Sequence, residues 1–337
     1  MTATALGENK SKLNQLLDSI NACCEHGMKA VDALIDAQSD SEVELVSTIG
    51  RYLIKSGGKR FRPKILLLCA QALGYTGVEH HEVACVIEFI HSATLLHDDV
   101  VDQSDLRRHA KSAHQVWGNE ASVLVGDFLY SRAFQILAWR SNIPLMQLLA
   151  KTTAALAEGE VQQLVEIKNH HMSIEKYEQI ITRKTGAMFA AASKAGAIIA
   201  ACDQTHLHEH LYHYGKELGM AFQMIDDILD YQSNEKTLGK TIAKDFLEGK
   251  VTLPYILALK HASADEKAFL EASIQCPRED QVADVMAVMK THRVFAMAYE
   301  HARAHIARAQ ERLRCLPNNE SVDMLHALCT YAIERCF

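Results

Sequence analysis

The sequence predicts an all-α protein, and three observations support this prediction. Proline, which breaks helix interiors, accounts for only 5 of the 337 residues. Strong helix formers such as alanine, leucine, glutamate, glutamine and lysine are frequent throughout. Apolar residues recur with the helical period from end to end, without a convincing strand-like alternation bounded by turn residues. We therefore expect a bundle of roughly ten or more helices around a central cavity.

Short segments with turn residues separate the expected helices. Breaks fall at Gly57-Gly58, Gly74 to Gly77, Asn142 to Pro144, Ser233-Asn234 and Cys276-Pro277. No linker or shift in composition divides the chain, so we expect a single all-α domain over residues 1–337. The expected helices cover residues 10–35, 40–55, 64–74, 79–102, 119–139, 144–168, 174–201, 205–233, 252–261, 265–275, 279–290, 293–314 and 319–335.

Composition excludes several classes of protein. A hydrophobic content of 48% with 23% charged residues is ordinary for a globular protein. The net charge of −7 argues against nucleic-acid binding, which needs a basic excess. The nine cysteines lack CxxC spacing and indicate buried thiols in a reducing compartment. We find no signal peptide, and the most apolar stretch, 187–202, contains Lys194 and is too short to span a membrane. We therefore expect a cytoplasmic protein.

Two copies of one acidic signature, each following an apolar run, are the strongest functional signal. Burial of unpaired charge costs several kcal/mol or more, so a cation should lie beside each copy. On a helix, positions i and i+4 share a face, which clusters hard oxygen ligands of the type that Mg²⁺ accepts. Two such clusters across a cavity would hold a diphosphate between them. The two copies are Asp98, Asp99 and Asp102, and Asp226, Asp227 and Asp230.

A diphosphate also needs direct positive charge, and basic residues alternate with the acidic signatures along the chain. The segment from Gly57 to Pro63 combines a glycine pair with three cations before a helix, which suits anion binding. The other basic groups are Arg107-Arg108, Lys184 within Lys-Thr-Gly, and Lys240, Lys244 and Lys250.

In type and order these motifs resemble those of trans-type polyprenyl diphosphate synthases, and most closely the long-chain, octaprenyl-type enzymes that make the side chains of respiratory quinones. The resemblance runs from Gly57 to Pro254. It rests on Gly-Gly-Lys-Arg-Phe-Arg-Pro, His-Asp-Asp-Val-Val-Asp, Arg-Arg, Gly-Asn-Glu-Ala-Ser-Val-Leu-Val-Gly-Asp, Lys-Thr-Gly, Phe-Gln-Met-Ile-Asp-Asp-Ile-Leu-Asp and Glu-Gly-Lys-Val-Thr-Leu-Pro. It implies the isoprenoid-synthase fold and a transferase that condenses isopentenyl diphosphate with an allylic diphosphate.

The resemblance also implies roles for individual residues. Both aspartate triplets would bind Mg²⁺, about three ions per active site, and the metal would help the allylic diphosphate to leave. The catalytic residues would be Asp98, Asp99, Lys184, Asp226 and Lys240. Contacts to the allylic diphosphate would come from Arg107, Lys184, Thr185, Gln223, Lys240 and Lys250. Isopentenyl diphosphate would be bound by Lys59, Arg62, His91 and Arg108.

Product length should depend on the wall beside the first acidic signature. Positions four and five before Asp98 are Thr94 and Ala93, which lie roughly 6–7.5 Å further from the metals on a helix. Short-chain members of the family carry an aromatic ring there. Small residues predict an open tunnel and a product of about C30–C50, with C40 favoured. Met146 and Leu149 are candidates for the tunnel floor.

We also expect a homodimer. The family dimerises, and the segment from Glu120 to Trp139 carries more apolar residues than one buried face requires. A transient membrane contact would suit release of a long apolar product. Two departures from the family pattern concern loops: His109 and Ala243 replace glycines, and Lys244 follows the second of them.

Alternative functions remain at this point. A class I terpene cyclase shares the first acidic signature, and a non-catalytic subunit of a heteromeric prenyl synthase shares the fold. Glu88 and His91 form the ExxH pattern of a di-iron bundle, which needs a second copy that we do not find. His206, His210 and His213 share a helix face that could bind a metal, although a solvated face is the favoured interpretation.

Overall fold

The computed structural model describes residues 3–55, 57–107, 110–200, 203–232 and 242–335, and confirms the all-α prediction. Its helices are α1 (Ala3–Gln38), α2 (Glu44–Lys55), α3 (Phe61–Ala72), α4 (Glu79–Val101), α5 (Ala113–Trp117), α6 (Asn119–Arg140), α7 (Ile143–Val165), α8 (Ile174–Ile181), α9 (Ala187–Ile199), α10 (Thr205–Gln232), α11 (Lys244–Leu247), α12 (Leu253–His261), α13 (Ala264–Gln275), α14 (Val282–Thr291), α15 (Val294–Leu313) and α16 (Glu320–Glu334). A 3₁₀ turn, Glu279–Gln281, precedes α14.

Local capping explains several helix starts. The Asn142 side chain accepts a hydrogen bond from the backbone amide of Leu145 at the start of α7. The Ser173 side chain accepts one from the amide of Lys176 and begins α8. Ser263 and Glu266 form a capping box at α13.

Three features differ from the sequence-based expectation. The expected helix over 174–201 is interrupted by a π-helical turn, Thr182–Gly186, between α8 and α9. Strands β1 (Leu106–Arg107) and β2 (Ala110–Lys111) pair antiparallel, although no strand was expected. Two residues per strand are too few to show alternation in a sequence. The short helices α5 and α11 were also missed, because one turn carries little periodicity.

Two hydrophobic clusters meet along α10. One includes buried residues of α1, α3, α4, α6, α7 and α9, and the other includes residues of α8 and of α12 to α15. On α10, Leu218 belongs to the first cluster and Met224 to the second. The second acidic signature therefore lies on a helix that is packed from both sides. No helix in the described ranges is long and apolar enough to cross a bilayer.

Candidate active site

The first acidic signature lies at the C-terminal end of α4. Asp99 is 1% exposed, and the guanidinium of Arg107 binds its carboxylate through two nitrogens, with Nε 2.8 Å from each oxygen and Nη2 2.7 Å from Oδ1. Such a bidentate pair fixes the orientation of a buried carboxylate. Arg107 belongs to β1, and its guanidinium contacts Asp99 on α4. Arg108 and His109 lie outside the described residues.

Asp98 lies in a crowded acidic environment. Burial, and then the nearby carboxylate of Glu160, raise its pKa to about 7 against the opposing effect of Lys184. Glu160 lies on α7 and accepts a hydrogen bond from Lys184 Nζ at 2.7 Å. An unpaired carboxylate in this position has its charge balanced most readily by a cation.

The π-helical turn brings Lys184 into the site. It widens the helix between α8 and α9, so Lys184 reaches α7 while Thr185 faces α10. Gly159 lies where α7 packs against this turn, and a Cβ there would come 2.9 Å from the Lys184 backbone nitrogen. The absence of a side chain at Gly159 therefore allows its neighbour Glu160 to reach Lys184.

In the second acidic signature, Asp227 has both oxygens occupied by protein donors. Tyr177 Oη donates to Oδ2 at 2.6 Å, and Gln223 Nε2 donates to Oδ1 at 2.8 Å. Gln223 in turn accepts a hydrogen bond from Thr185 Oγ1 at 2.7 Å. Burial nevertheless raises the pKa of Asp227 to about 7, because these two hydrogen bonds offset only part of the desolvation.

Asp226 and Asp230 make different contacts. Arg335, in the last described turn of the chain, places Nη1 2.9 Å from Asp226 Oδ1 and stacks on Phe222, with Cζ 3.6 Å from the ring centroid. Asp230 Oδ2 accepts a hydrogen bond from the backbone amide of Asp245 at 3.0 Å. The pKa of Asp245 itself is raised well above its usual value by burial and then by Asp230.

The segment after the second signature contacts the end of the first. Lys250 Nζ lies 3.0 Å from Asp102 Oδ2 and 2.8 Å from Glu248 Oε2. Burial alone would lower the pKa of Lys250, but these two carboxylates more than reverse that effect, and the net shift is upward. Lys244 Nζ donates to Ser104 Oγ at 2.9 Å. The segment that follows the second signature thereby reaches the end of the first, where Lys250 contacts Asp102 itself and Lys244 contacts the nearby Ser104.

Ala243 shows the consequence of one departure from the family pattern. Its φ of 56° lies in the left-handed region, where glycine has no steric penalty and alanine does. Ala243 is completely buried in this conformation. Lys240 lies outside the described residues.

A cavity of about 130 Å³ opens beside Asp227, the one of the six described signature aspartates that lines it. It is lined by Gln163, Glu166, Met172, Tyr177, Ile180, Ile181, Lys184, Gln223, Asp227, Asp245, Lys250, Val251 and Thr252. Its polar wall combines cations with carboxylates, and its remaining wall is apolar.

A second basic cluster contains three of the four residues expected to bind isopentenyl diphosphate, namely Lys59, Arg62 and His91. Arg62 Nη1 lies 3.1 Å from His91 Nε2, and the Arg62 guanidinium lies 4.8 Å from the centroid of the Phe189 ring. Lys59 Nζ donates to the Tyr331 hydroxyl and lies 4.8 Å from the centroid of its ring. Helix α16 therefore contributes Tyr331 to this cluster and leads to Arg335 at the second acidic signature.

The arrangement fits Mg²⁺ bound together with a diphosphate. Within the described part of the chain, no three His, Cys, Asp or Glu side chains are close enough to hold an ion by themselves. Mg²⁺ is typically held by one or two carboxylates, with waters and substrate phosphates as the other ligands. The crowding of Asp98 against Glu160, with its raised pKa, marks the place where a cation would relieve repulsion. The carboxylates of both triplets are the candidates to hold it, because a carboxylate keeps further lone pairs beside the hydrogen bonds that it accepts.

Two other metal sites were considered from the sequence, the Glu88–His91 pair and the histidine face of α10. Glu88 lies 3.8 Å from Arg60, whereas His91 contacts Arg62, so the ExxH pair does not converge on one point. His206 and His210 lie close, with ring centroids 6.3 Å apart. Among the described residues neither group is part of a cluster that could ligate an ion.

The residues expected to set product length lie in the packed core. Ala93 and Leu149 are fully buried. Thr94 and Met146 are half-buried, and the Thr94 hydroxyl donates to the backbone carbonyl of His91 at 2.8 Å. None of the four lines the 130 Å³ cavity. Their role in chain length therefore stays a prediction.

Sequence reasoning missed several residues of the site. The signal for Glu160 was its position beside Gly159, which allows close helix packing. Tyr177 and Gln163 gave no signal, since each lies in an ordinary amphipathic helix. Arg335 was remote from every motif. The missed residues are Glu160, Gln163, Tyr177, Asp245, Glu248, Tyr331 and Arg335.

Comparison with known proteins agrees with this geometry. Residues 43–292 match the family model for polyprenyl synthetase. The chain is 39% identical to an octaprenyl diphosphate synthase from Haemophilus influenzae, covering 95% of this chain and 97% of the relative.

Two solved structures share the fold. The first is a decaprenyl diphosphate synthase from Rhodobacter capsulatus, with a TM-score of 0.91, 37% identity, and coverage of 95% of this chain and 99% of that one. The second is a polyprenyl synthase from Caulobacter crescentus complexed with calcium and isoprenyl diphosphate, with a TM-score of 0.91, 37% identity, and coverage of 95% and 98%.

The fold and site thus define a helical prenyltransferase with paired acidic signatures. The chain belongs to the polyprenyl synthetase family.

Proposed function

We propose that this enzyme adds isopentenyl diphosphate units to an allylic diphosphate of the farnesyl or geranylgeranyl type, and makes an all-trans octaprenyl (C40) diphosphate for quinone side chains. The contact between Lys250 and Asp102 supports this proposal most strongly, because it brings a lysine that lines the cavity, from the segment after the second acidic signature, to the end of the first. The Haemophilus influenzae relative supports the long product. We propose that residues 1–337 act as one domain.

The proposal includes a divalent metal, with Mg²⁺ as the ion and about three ions per site with substrate bound. The calcium in the related Caulobacter crescentus structure supports binding of a divalent ion. When bound, the metal would supply positive charge that neutralises the departing diphosphate. The two aspartate triplets would hold it: Asp98, Asp99 and Asp102, with Asp226, Asp227 and Asp230.

The side chains of this chain have separate tasks in the reaction. Lys184 and Lys250 line the cavity and place ammonium groups beside the diphosphate as negative charge develops on it. Thr185 and Gln223 would orient the same group through their hydrogen bond. Lys59, Arg62 and His91 would hold isopentenyl diphosphate from the neighbouring basic cluster.

The bonds change as follows. The allylic C–O bond breaks, C1 of the allylic group accepts the electron pair of the isopentenyl double bond, and a new C–C bond forms. Loss of one proton regenerates a double bond, and we assign that proton to the released diphosphate. The apolar wall formed by Met172, Ile180 and Ile181 would keep water from the allylic cation.

The test is elongation by the purified protein alone. We expect labelled isopentenyl diphosphate and farnesyl diphosphate to give a long all-trans product with Mg²⁺, and no product with EDTA until Mg²⁺ is restored. The double variant Asp98→Ala/Asp226→Ala should be inactive yet folded. Full activity of that variant would contradict the assignment of the metal-binding residues.

The same assay separates the alternatives. Cyclic products from a single diphosphate would indicate a terpene cyclase. Activity that appears only after a second protein is added would indicate a subunit of a heteromeric synthase.

A further inference from the structure

Tyr177 is a buried tyrosine whose hydroxyl binds a carboxylate of the active site. It lies on α8, is 3% exposed, and donates to Asp227 Oδ2 at 2.6 Å. Its side chain lines the same cavity as Lys184 and Gln223. The tyrosine therefore contacts the second acidic signature from α8.

The hydroxyl is the first member of a continuous series of side-chain hydrogen bonds. Asp227 accepts from Tyr177 at one oxygen and from Gln223 Nε2, at 2.8 Å, at the other. Gln223 Oε1 accepts from Thr185 Oγ1 at 2.7 Å. This series of hydrogen bonds runs from α8 through α10 to the π-helical turn that contains Lys184. Each amide or carboxylate in it has both ends occupied, so none can rotate without breaking a bond.

A carboxylate held at both oxygens keeps lone pairs that point in fixed directions. Hydrogen-bond partners of this kind orient metal ligands, and their removal typically weakens metal binding about 10- to 100-fold. We propose that Tyr177 is a positioning residue, which fixes Asp227 and through it the second acidic signature for a divalent cation. The proposal rests on the proposed function, since it assumes that this signature binds metal.

Tyr255 shows what a purely structural tyrosine looks like in the same hydrophobic cluster. It is fully buried, and its hydroxyl donates to the backbone carbonyl of Leu270 at 2.7 Å. A neutral backbone acceptor is enough to satisfy a buried phenol. Tyr177 instead contacts the carboxylate that lines the cavity, which is why the two tyrosines should differ in their effect on metal binding.

The experiment measures Mn²⁺ binding to the substrate-free enzyme by calorimetry or electron paramagnetic resonance. Tyr177→Phe keeps the ring and removes the hydroxyl, and we expect Mn²⁺ binding about 10-fold weaker than in the wild type. Steady-state kinetics should show a higher Mg²⁺ requirement and an unchanged KM for isopentenyl diphosphate. Tyr255→Phe is the matched control and should bind Mn²⁺ as the wild type does.

Asp226→Ala, in the same titration, distinguishes failure of this inference from failure of the proposed site. Weakened binding in Asp226→Ala, together with wild-type binding in Tyr177→Phe, would overturn the role of Tyr177 alone. Wild-type binding in both variants would overturn the metal site and the inference together. Equal weakening in Tyr177→Phe and Tyr255→Phe would indicate a general loss of structure and would also overturn the positioning role.

Discussion

Lys250 Nζ lies 3.0 Å from Asp102 Oδ2, and this ion pair joins residues 148 positions apart in the sequence. Asp102 ends the first acidic signature, while Lys250 follows the second. The Lys250 side chain is only 12% exposed and also contacts Glu248. The Lys250 ammonium thus lies between the carboxylates of Asp102 and Glu248, at the end of the first acidic signature.

Removal of that ammonium should affect both stability and substrate binding. Lys250→Met leaves Asp102 and Glu248 facing each other, and we expect a loss of about 1–3 kcal/mol in the free energy of unfolding, less than for a fully buried pair. We also expect the KM for the allylic diphosphate to rise about 10-fold. Urea unfolding and steady-state kinetics measure these changes.

Lys244→Met is the matched control for Lys250. Lys244 is 46% exposed and lies 3.1 Å from Glu248, so its removal should cost about 0.5 kcal/mol or less. Equal losses of unfolding free energy in the two variants would show that the contact of Lys250 with Asp102 stabilises the protein no more than the exposed Lys244 pair does.

Metal binding should depend on pH, because folding raises the pKa values of Asp98 and Asp227 to about 7. A raised pKa means that the protonated form favours the folded state. In EDTA, this contribution is complete below about pH 4 and is lost as the pH rises through 7. Added Mg²⁺ must displace these protons at low pH, so the rise in Tm that it causes should be larger at pH 8 than at pH 5.5.

Thermal unfolding with and without Mg²⁺ at both pH values tests this dependence. Asp98→Asn, which cannot ionise, should show a shallower loss of Tm with pH in EDTA. A Tm increase of the same size at pH 5.5 and 8 would mean that these carboxyl groups do not titrate with metal binding.

The two substrates should respond to different cations. Arg62→Ala and His91→Ala remove contacts from the basic cluster around Phe189, and we expect each to raise the KM for isopentenyl diphosphate about 10- to 100-fold. Lys184→Ala should instead raise the KM for the allylic substrate, because Lys184 lines the cavity with Asp227. Equal effects of every variant on both substrates would refute the division.

Product length should respond to Ala93. The residue is fully buried on α4, about one turn from Asp98, and an aromatic side chain there should block the growing chain. We expect Ala93→Tyr to give products of roughly C15–C20 and to lower stability by about 1–3 kcal/mol through overpacking. Chromatography of the dephosphorylated products measures this. Ala93→Ser is the size-matched control and should keep the long product, whereas an unchanged product from active Ala93→Tyr would place the tunnel elsewhere.

We propose that two copies associate through α6 and α7. Leu124 on α6 is 66% exposed, and Val161 on α7 is 60% exposed. Leu124→Glu/Val161→Glu should convert a dimer to a monomer in sedimentation experiments, because two charges would have to lose their water on association. Val43→Glu, at a position 59% exposed before α2, should not. A wild-type protein that sediments only as a monomer at micromolar concentration would contradict the homodimer.

Helix class and the two acidic signatures were predictable because both depend on local order in the sequence. Helical periodicity fixed the extents of most helices to within a few residues, as in α4, where 79–102 was expected and Glu79–Val101 is observed. The bounds were wrong where a helix changes type, since the π-helical turn at Thr182–Gly186 continues from α8 to α9 without a loop between them. Lys184 was nevertheless identified, from the resemblance of its motif.

The partners of the signatures were decided by the tertiary structure. Sequence by itself predicted cations beside six aspartates, because burial of charge has a local cost that residue type and apolar flanks reveal. It could not determine that Asp226 contacts Arg335, that Asp227 accepts from Tyr177, or that Asp98 lies near Glu160. Those contacts join helices remote in the chain, and packing chooses them through shape and distance rather than through any repeating pattern.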